Sequence, residues 1–410
     1  IRLINEGVMD DGGLDAVAAH LHIGSRQLRR LFGEHLGVSP VAIAQTRRLH
    51  FAKKLIDETR LPMTDVALSA GYRSVRRFND VFQNTYQRTP TELRRKNSKK
   101  TVVLQTAVSH LHLKLAYRPP FSWDSLIGFM QMRAIPGVEA ATADSYSRTI
   151  QFGNLSGIIT VQPIPDKNQL RLSVPTQLAG YLQLISERIR RLFDLQADPA
   201  QISAHLSQDP LLAPTVARYP GLRLPGCWDG FEIAVRAILG QQVSVKAATT
   251  ISGRLVERLG TPITAVCETT VSETAVSPHP SLTHIFPTPT QIIAGDLSKL
   301  GLTTKRAETI RTLAQAVVDG KLTFSTPVSL EEAITSMVKL PGIGDWTAQY
   351  IAMRALGEPD AFPAGDLILR RAAATKEKPL TEKQLRQHAD SWRPWRAYAA
   401  IYLWKSYTGK

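Results

Sequence analysis

The stretch LPGIGDWTAQY, residues 340–350, has a proline and two glycines in a spacing that predicts a turn between two helices. We expect Pro341 and Gly342 to end one helix, Gly344 to permit the tight turn, and a second helix to begin at about Asp345. Because glycine lacks Cβ, a phosphate can approach the backbone closely, where helix-start amides and the positive end of the helix dipole face it. This helix-hairpin-helix motif therefore predicts a site at Gly342 and Gly344 whose backbone binds phosphate irrespective of base sequence.

Two aromatic residues and an aspartate follow the predicted turn. Trp346 and Tyr350 are four residues apart and therefore share one helical face, and Asp366 lies at a predicted helix start in FPAGDL. Spacing alone leaves two interpretations open for each. The aromatics are core residues or a stacking surface, and Asp366 is an N-cap or a functional carboxylate.

The sequence from about residue 200 onward predicts mainly helices, and these helices are expected to position the residues described above. Residues 224–250 predict an amphipathic helix that is broken near Gly240, with Gln241 and Gln242 at the break. By spacing alone, the two glutamines are an exposed polar pair at a helix end. The stretch Glu268–Pro280, rich in Ser, Thr and Pro, is interpreted as a surface insertion.

A smaller α+β unit precedes these helices. His110 to Tyr117 alternates apolar and polar residues with the period of a half-buried strand. His110 and His112 could be metal ligands, but without a third ligand solvent-facing strand residues are the favoured interpretation. The further predicted elements are a helix at Trp123–Arg133 and strands near Ser156–Gln162 and Gln169–Val174.

The first hundred residues predict a helix-turn-helix between Leu14 and Leu36. A turn at His22–Gly24 separates two helices, and Ser25 is expected to N-cap the second. The apolar face of that second helix consists of Leu28, Leu31, Phe32 and Leu36. The residues expected to contact DNA are Ser25, Arg26, Gln27, Arg29 and Arg30.

The same layout recurs at residues 63–86, with a turn at Gly71. Its second helix is expected to bury Val75, Phe78 and Phe82 and to present Arg73, Ser74, Arg76 and Arg77 to DNA. Between the two units, Ser39 and Pro40 are a favourable N-cap and first residue of a helix that runs to about Glu58. If the two recognition helices are about 34 Å apart, both could enter successive major grooves of DNA. The alternative interpretation for each unit is a basic helix surface that contacts only solvent.

Composition agrees with a nucleic-acid partner. The 410 residues carry a net charge of +15, of which +8 falls within residues 1–100. Two cysteines, Cys227 and Cys267, are too few for a disulfide framework or a four-cysteine metal site. The absence of long apolar runs and of a signal peptide predicts a cytoplasmic protein without membrane contact. Because the sequence starts at Ile1 and not Met, we expect that a preceding segment has been removed.

Two families resemble different parts of this sequence. Residues 5–96 resemble the AraC-type DNA-binding domain through GVSPVAIAQTRRLHFAKKLI, LPMTDVALSAGY, RRFNDVFQ and TPTELR. Residues 111–408 resemble the 3-methyladenine DNA glycosylase II (AlkA) branch of the helix-hairpin-helix glycosylases through PGLRLPGCWDGFEIAVRAILGQQVS, LPGIGDWTAQYIAMRAL, FPAGDL and WRPWRAYAAIYLW.

The expected fold is therefore multidomain and mainly α. It comprises an all-α double helix-turn-helix domain, a small α+β domain and an all-α helix-hairpin-helix glycosylase domain. The domain boundaries that we predict are 1–96, a linker at 97–104, 105–199 and 200–410.

The resemblance to the glycosylases also implies roles for single residues. Asp366 occupies the place of the catalytic aspartate, and the lesion pocket would be lined by Trp346, Tyr350, Trp404 and Phe129. Gln242 would be the wedge that fills the space left by a flipped base, although well-known members have leucine there. A monovalent cation would be held under the hairpin by the main-chain carbonyls of Val338, Leu340 and Ile343. No cofactor is expected for the chemistry itself.

The implied activity is excision of alkylated purines from double-stranded DNA. Lyase members of the family have a lysine where this sequence has Trp346, so a monofunctional glycosylase is expected. The AraC-type part implies promoter DNA as a second partner and RNA polymerase as a third, for a monomeric protein. Ada-type relatives carry an N-terminal cysteine-zinc domain, which would have to lie upstream of Ile1. The alternative is a transcriptional regulator whose glycosylase-like part only holds DNA.

Overall fold

The computed structural model describes residues 1–98, 110–263, 281–324, 329–374 and 378–408. They divide into two compact units. The first contains residues 1–115, 150–161 and 171–188, and the second contains residues 116–149, 162–170 and 189–410. Most of the predicted linker (99–104), the Glu268–Pro280 insertion and Cys267 lie outside the described residues, and the predicted domain boundaries stay a prediction.

Seven helices form the N-terminal part of the first unit. They are α1 Arg2–Asn5, α2 Val8–His20, α3 Ser25–Leu36, α4 Pro40–Glu58, α5 Met63–Ser69, α6 Val75–Tyr86 and α7 Pro90–Ser98. The connecting helix between the two helix-turn-helix units is confirmed, because Ser39 Oγ accepts the Ala42 N–H at 3.1 Å and α4 ends at Glu58. Helix α7 continues two residues into the predicted linker.

Two predicted details of these helices are wrong. Gly24, not Ser25, occupies the N-cap position of α3, and the Ser25 hydroxyl instead donates to Asp15 Oδ1. Val75 is 37% exposed, because Ser74 caps α6 and leaves Val75 as the first helical residue, outside the packed face. Phe78 and Phe82 are fully buried, as predicted.

Aromatic packing holds the second helix-turn-helix together. Tyr72 contacts Phe78 edge-on at a centroid distance of 5.4 Å, and Phe78 contacts Phe82 at 4.8 Å. Phe82 then contacts Tyr86 at 5.4 Å. These separations fall within the favourable range for aromatic pairs. The first helix-turn-helix has an aliphatic cluster instead, which includes Leu3, Ile4, Met9, Leu14, Val17 and Leu28.

Five strands form one sheet with the order β1-β5-β4-β3-β2. They are β1 His110–Ala116, β2 Glu139–Ala141, β3 Tyr146–Phe152, β4 Leu155–Pro163 and β5 Gln169–Pro175. The alternation predicted for β1 is confirmed, because Leu111, Leu113 and Leu115 are buried and the residues between them are exposed. β2 and β3, which are antiparallel, are not predicted from the sequence.

The remaining elements are mostly helices of the second unit. They are α8 Trp123–Gln131, α9 Leu182–Leu192, α10 Pro199–Leu206, α11 Ala213–Arg218, α12 Gly230–Leu239, α13 Val245–Leu259, α14 Pro289–Ala294, α15 Thr304–Val318, α16 Leu330–Val338, α17 Asp345–Ile351, α18 Leu367–Ala372, α19 Glu382–His388 and α20 Arg396–Thr408. Two short strands, β6 Thr261–Pro262 and β7 His284–Ile285, pair antiparallel. The helix break predicted near Gly240 is confirmed, because α12 ends there and Ser244 caps α13.

Helix α12 is central to the second unit. Eight of its ten residues are buried, and it packs against α13, α15 and α17. A helix buried on nearly all sides is a fixed support for the elements around it. The mainly α, multidomain fold class is confirmed. None of the helices in the described ranges is long and apolar enough to cross a bilayer.

Candidate functional site

The predicted hairpin joins α16, which ends at Val338, to α17, which begins at Asp345. Gly342 has a φ of +87°, and a Cβ there would lie 2.0 Å from Thr309 Oγ1 on α15. Gly344 has a φ of −90°, and a Cβ there would meet no atom within 4 Å. The tight turn therefore requires glycine at Gly342. The prediction that Gly344 permits the turn is wrong, although its backbone is open to an approaching group.

The Asp366 carboxylate accepts three hydrogen bonds. Trp346 Nε1–H donates to Oδ2 at 3.1 Å, and Trp404 Nε1–H donates to Oδ1 at 3.2 Å. The Leu369 N–H donates to Oδ1 at 2.9 Å, which makes Asp366 the N-cap of α18. The helix cap and two indoles therefore fix the orientation of a half-buried carboxylate.

The three predicted pocket aromatics beside this carboxylate are near one another. Trp346 and Tyr350 stack with a centroid distance of 5.5 Å and an interplanar angle of 10°. Tyr350 and Trp404 meet edge-on at 6.5 Å. All three side chains are half-buried. They form an aromatic surface next to Asp366, which combines the core and stacking interpretations that spacing left open.

Phe129, the fourth predicted pocket residue, packs against two arginines. The Arg133 guanidinium carbon lies 3.8 Å from its ring centroid, and that of Arg354 lies 4.9 Å away. Arg354 Nη1 also donates to the Tyr350 hydroxyl at 2.7 Å and lies 5.6 Å from the Tyr350 ring centroid. Phe129 is thus connected to the pocket aromatics through arginine, and its ring already contacts cations.

These arginines alter the chemistry of Tyr350. Burial raises the pKa of its hydroxyl, but the charges of Arg354 and Arg133 outweigh burial and hold that pKa below its ordinary value. Neither arginine was predicted as a site residue. A signal was available in the sequence, since Arg354 follows Tyr350 by four residues and Arg133 follows Phe129 by four.

A buried ion network lies next to these arginines. Arg236 pairs with Glu139 at 2.9 Å and with Glu232 at 3.3 Å, and Arg148 pairs with Glu232 at 2.8 Å. Burial raises the pKa of Glu139, but Arg236 and Arg148 outweigh it and lower the pKa. A cavity of about 20 Å³ between Phe129 and this network has room for roughly one water, not a nucleobase.

The helix break brings Gln241 and Gln242 to the hairpin side of the second unit. Gln242 is exposed and has a φ of +55°. Gln241 is half-buried, and its Nε2 donates to the Gly342 carbonyl at 3.0 Å and to Thr347 Oγ1 at 3.1 Å. The interpretation of both residues as an exposed polar pair is therefore wrong for Gln241.

The predicted cation ligands are partly engaged in the turn. The Leu340 carbonyl accepts the Ile343 N–H at 3.1 Å, which leaves one lone pair for a ligand bond. Ile343 is itself buried in the core. Main-chain oxygens suit a monovalent cation, and the cation stays a prediction.

The residues predicted to contact DNA in the first unit are mostly at its surface. Exposed side chains are Arg26, Gln27, Arg29, Arg30, Arg73, Ser74, Arg76 and Arg77, whereas Ser25 is half-buried. Arg30 pairs with Glu34 at 3.3 Å, and Arg73 Nε donates to the Asp10 carbonyl at 3.0 Å. These two arginines are therefore restrained within the protein.

Asp10 is a connecting residue that the sequence patterns do not indicate. Its carboxylate pairs with Arg47 and, at 2.6 Å, with Arg48, both on α4. The same carboxylate lies 2.6 Å from the place of a Cβ on Gly71, which has a φ of +84°. Asp10 therefore joins the first helix-turn-helix, the connecting helix and the turn of the second.

Comparison with known proteins identifies three family domains. Residues 17–96 match the helix-turn-helix domain family, residues 112–229 match the AlkA N-terminal domain, and residues 235–394 match the HhH-GPD superfamily of base excision DNA repair proteins. The 3-methyladenine DNA glycosylase of Archaeoglobus fulgidus shares the fold, with a TM-score of 0.59 at 20% identity over 72% of this chain and 98% of that one.

Two curated relatives are more similar in sequence. The probable bifunctional transcriptional activator/DNA repair enzyme AlkA of Mycobacterium tuberculosis is 38% identical over 404 residues, which cover 98% of this chain and 79% of that protein. DNA-3-methyladenine glycosylase 2 of Escherichia coli is 33% identical over 293 residues, which cover 71% of this chain and 95% of that enzyme. This chain belongs to the AlkA family, as a fusion of an AraC-type helix-turn-helix domain with an AlkA glycosylase.

Proposed function

We propose that this protein releases alkylated purines of the 3-methyladenine and 7-methylguanine class from double-stranded DNA. The observation that carries the proposal is the Asp366 carboxylate, which two indole N–H groups hold beside an aromatic surface. An N-alkylated purine carries positive charge and leaves readily, so the enzyme needs to bind that charge and stabilise the sugar. A strong general acid is not required.

The base would stack against Trp346. A purine inserted between two rings needs about 7 Å between their planes, twice the contact distance of about 3.5 Å. The centroids of Trp346 and Tyr350 are only 5.5 Å apart, so a base does not fit between them. Because the Arg354 cation already lies over Tyr350, we expect Trp346 to supply the main face and Trp404 a second one.

The chemical step would be hydrolysis at the sugar. As the N-glycosidic bond breaks, positive charge develops on the sugar, and the ionised Asp366 stabilises it and orients a water molecule. The backbone at Gly342 and Gly344 would hold a phosphate beside a cation carried by the carbonyls of Val338, Leu340 and Ile343. Gln242 would fill the space left by the flipped base.

We further propose that the enzyme is monofunctional. A lyase reaction requires an amine that forms a Schiff base with the sugar. Trp346 occupies the position where the resemblance places that amine, and it donates to Asp366 instead. The expected product is an intact strand with an abasic site.

Base release from duplex DNA with methylated purines tests both proposals. The parent should release 3-methyladenine or 7-methylguanine, and the strand should break only after alkali. Borohydride should trap no covalent complex. Release of no base would support the alternative of a regulator with a passive DNA-holding module, and trapping would contradict the monofunctional reaction.

For the helix-turn-helix units, we propose promoter binding as part of a cytoplasmic monomer that contacts RNA polymerase. Arg26 and Arg76 occupy equivalent positions near the starts of α3 and α6, and both are exposed. Selection from random duplexes should return a preferred sequence, and the double change of Arg26→Ala and Arg76→Ala should abolish the preference. A selection without any preferred sequence would make this part a general DNA tether.

A further inference from the structure

We infer that Gln241 is a positioning residue that fixes the wedge turn to the phosphate-binding hairpin. The inference rests on the proposed function, since it concerns how Gln242 would displace a base. Gln241 does not touch the reacting atoms. Its role would be to keep the exposed end of the turn from retreating when the duplex presses against it.

The side chain of Gln241 bonds to the hairpin directly. Its single amide nitrogen donates to the Gly342 carbonyl at 3.0 Å and to Thr347 Oγ1 at 3.1 Å. Gly342 lies in the turn between α16 and α17, and Thr347 is a buried residue of α17. Both amide protons are therefore used, one on each side of the start of α17.

The backbone of Gln241 is held from a second direction. Its carbonyl accepts a hydrogen bond from the guanidinium of Arg306 on α15, and its N–H donates to the Ile238 carbonyl at 3.2 Å. Thr309, one helical turn after Arg306, is the residue whose hydroxyl closes the space beside Gly342. Helix α15 therefore supports the wedge turn through Arg306 and the hairpin through Thr309.

Gln241 would thus hold the wedge turn and the phosphate-binding hairpin in a fixed arrangement, and both parts must act on the DNA together. When the hairpin holds a phosphate, the distance from that phosphate to residue 242 is fixed by Gln241. Inserting the wedge residue into a base stack costs a few kcal/mol. A mobile turn would therefore be pushed back by the duplex before the bases separated. Sequence spacing gives no sign of this link, because Gln241 and Gly342 are 101 residues apart.

The test uses Gln241→Leu, which keeps the approximate volume but has no donor. Single-turnover excision of one 7-methylguanine is measured twice, opposite cytosine and in a single-nucleotide bulge that has no base pair to break. We expect the rate on the paired lesion to fall about tenfold, as for the loss of one or two hydrogen bonds, and the rate on the bulged lesion to stay within about twofold. Thr347→Val should slow the paired lesion by a smaller factor, and Thr347→Ser should restore the parent rate.

A second readout does not depend on chemistry. Binding to a duplex with 2-aminopurine next to an abasic-site analogue should raise the fluorescence with the parent, and less with Gln241→Leu. Gln208→Leu, at an exposed residue of the second unit, is the matched control and should behave as the parent. Equal slowing on both lesions, or no slowing on either, would overturn the inference. If the parent excises nothing, the proposed activity fails, and the fluorescence alone decides the role of Gln241.

Discussion

Replacing Asp366 with asparagine should separate its structural role from its chemical role. Asparagine keeps one oxygen, which can still accept from Leu369 and Trp404 and cap α18. Its NH2 group then faces the Trp346 indole N–H, donor against donor, where the carboxylate oxygen now accepts at 3.1 Å. Since Trp346 is half-buried, this mismatch should cost about 1 kcal/mol of folding free energy.

The loss in rate should be much larger than the loss in stability. At a separation of about 4 Å and an effective dielectric constant of about 20, a full charge is worth about 4 kcal/mol, or roughly 10³ in rate. The three donors already compensate part of the carboxylate charge, so we expect single-turnover excision to fall by about 10² to 10³.

The matched control is Asp198→Asn. Asp198 caps α10 by accepting the N–H groups of Ala200 and Gln201 at 3.2 and 3.3 Å, and it pairs with the exposed Arg118 at 3.5 Å. Excision should match the parent. Thermal unfolding should nearly match it, since asparagine caps as well as aspartate and the exposed pair with Arg118 is worth no more than about 1 kcal/mol. If Asp366→Asn retains more than about a tenth of the parent rate, the charge-stabilisation argument is wrong.

Four further substitutions test the site and the fold of the second unit. Gly342→Ala should lower the Tm, since alanine at a φ of +87° is strained and its Cβ would meet Thr309, whereas Gly344→Ala should leave the Tm unchanged and weaken duplex binding in a filter or fluorescence assay. Gln242→Gly should leave the free energy of unfolding, measured by urea titration, within about 1 kcal/mol of the parent. Glycine removes the backbone strain at a φ of +55°, and this gain offsets the larger conformational entropy of the unfolded chain. The same change should slow excision of paired lesions. Burial raises the pKa of Asp194 from 3.8 to about 6, so its contribution to stability is present below pH 3.8 and lost as the pH rises through 6. Asp194→Asn should therefore gain in Tm relative to the parent between about pH 4 and pH 7, and a constant difference across that range would contradict the shift.

Local signals account for what the sequence could predict. The start of α4 follows from Ser39 and Pro40, the break after α12 follows from Gly240, and the alternation of β1 follows from its leucines. Each of these signals acts within a few residues of the feature that it determines. The limits of α4 and the start of α17 were therefore accessible without any tertiary information.

Features that depend on distant partners were not accessible in this way. β3 reads YSRTIQF, and its polar residues conceal a strand because Arg148 is 2% exposed and pairs with Glu232, 84 residues away. The restriction on Gly342 comes from Thr309 on another helix. A periodic pattern shows which residues face a hydrophobic core. It does not show which specific ion pair or steric contact a residue makes.

Trp346 shows why the structural and functional interpretations of this site are not alternatives. Its indole N–H orients the Asp366 carboxylate, and its ring stacks on Tyr350, whose hydroxyl binds Arg354. A base that stacks on Trp346 would therefore meet a ring whose position depends on both the Asp366 carboxylate and, through Tyr350, the buried Arg354. A lysine at this position would supply the amine that a lyase needs. It would also remove the indole N–H that now donates to Asp366 Oδ2 and the indole ring that now stacks on Tyr350. The proposed hydrolysis is therefore consistent with this position in two ways: Trp346 has no amine, and its indole orients the carboxylate to which we assign the reaction.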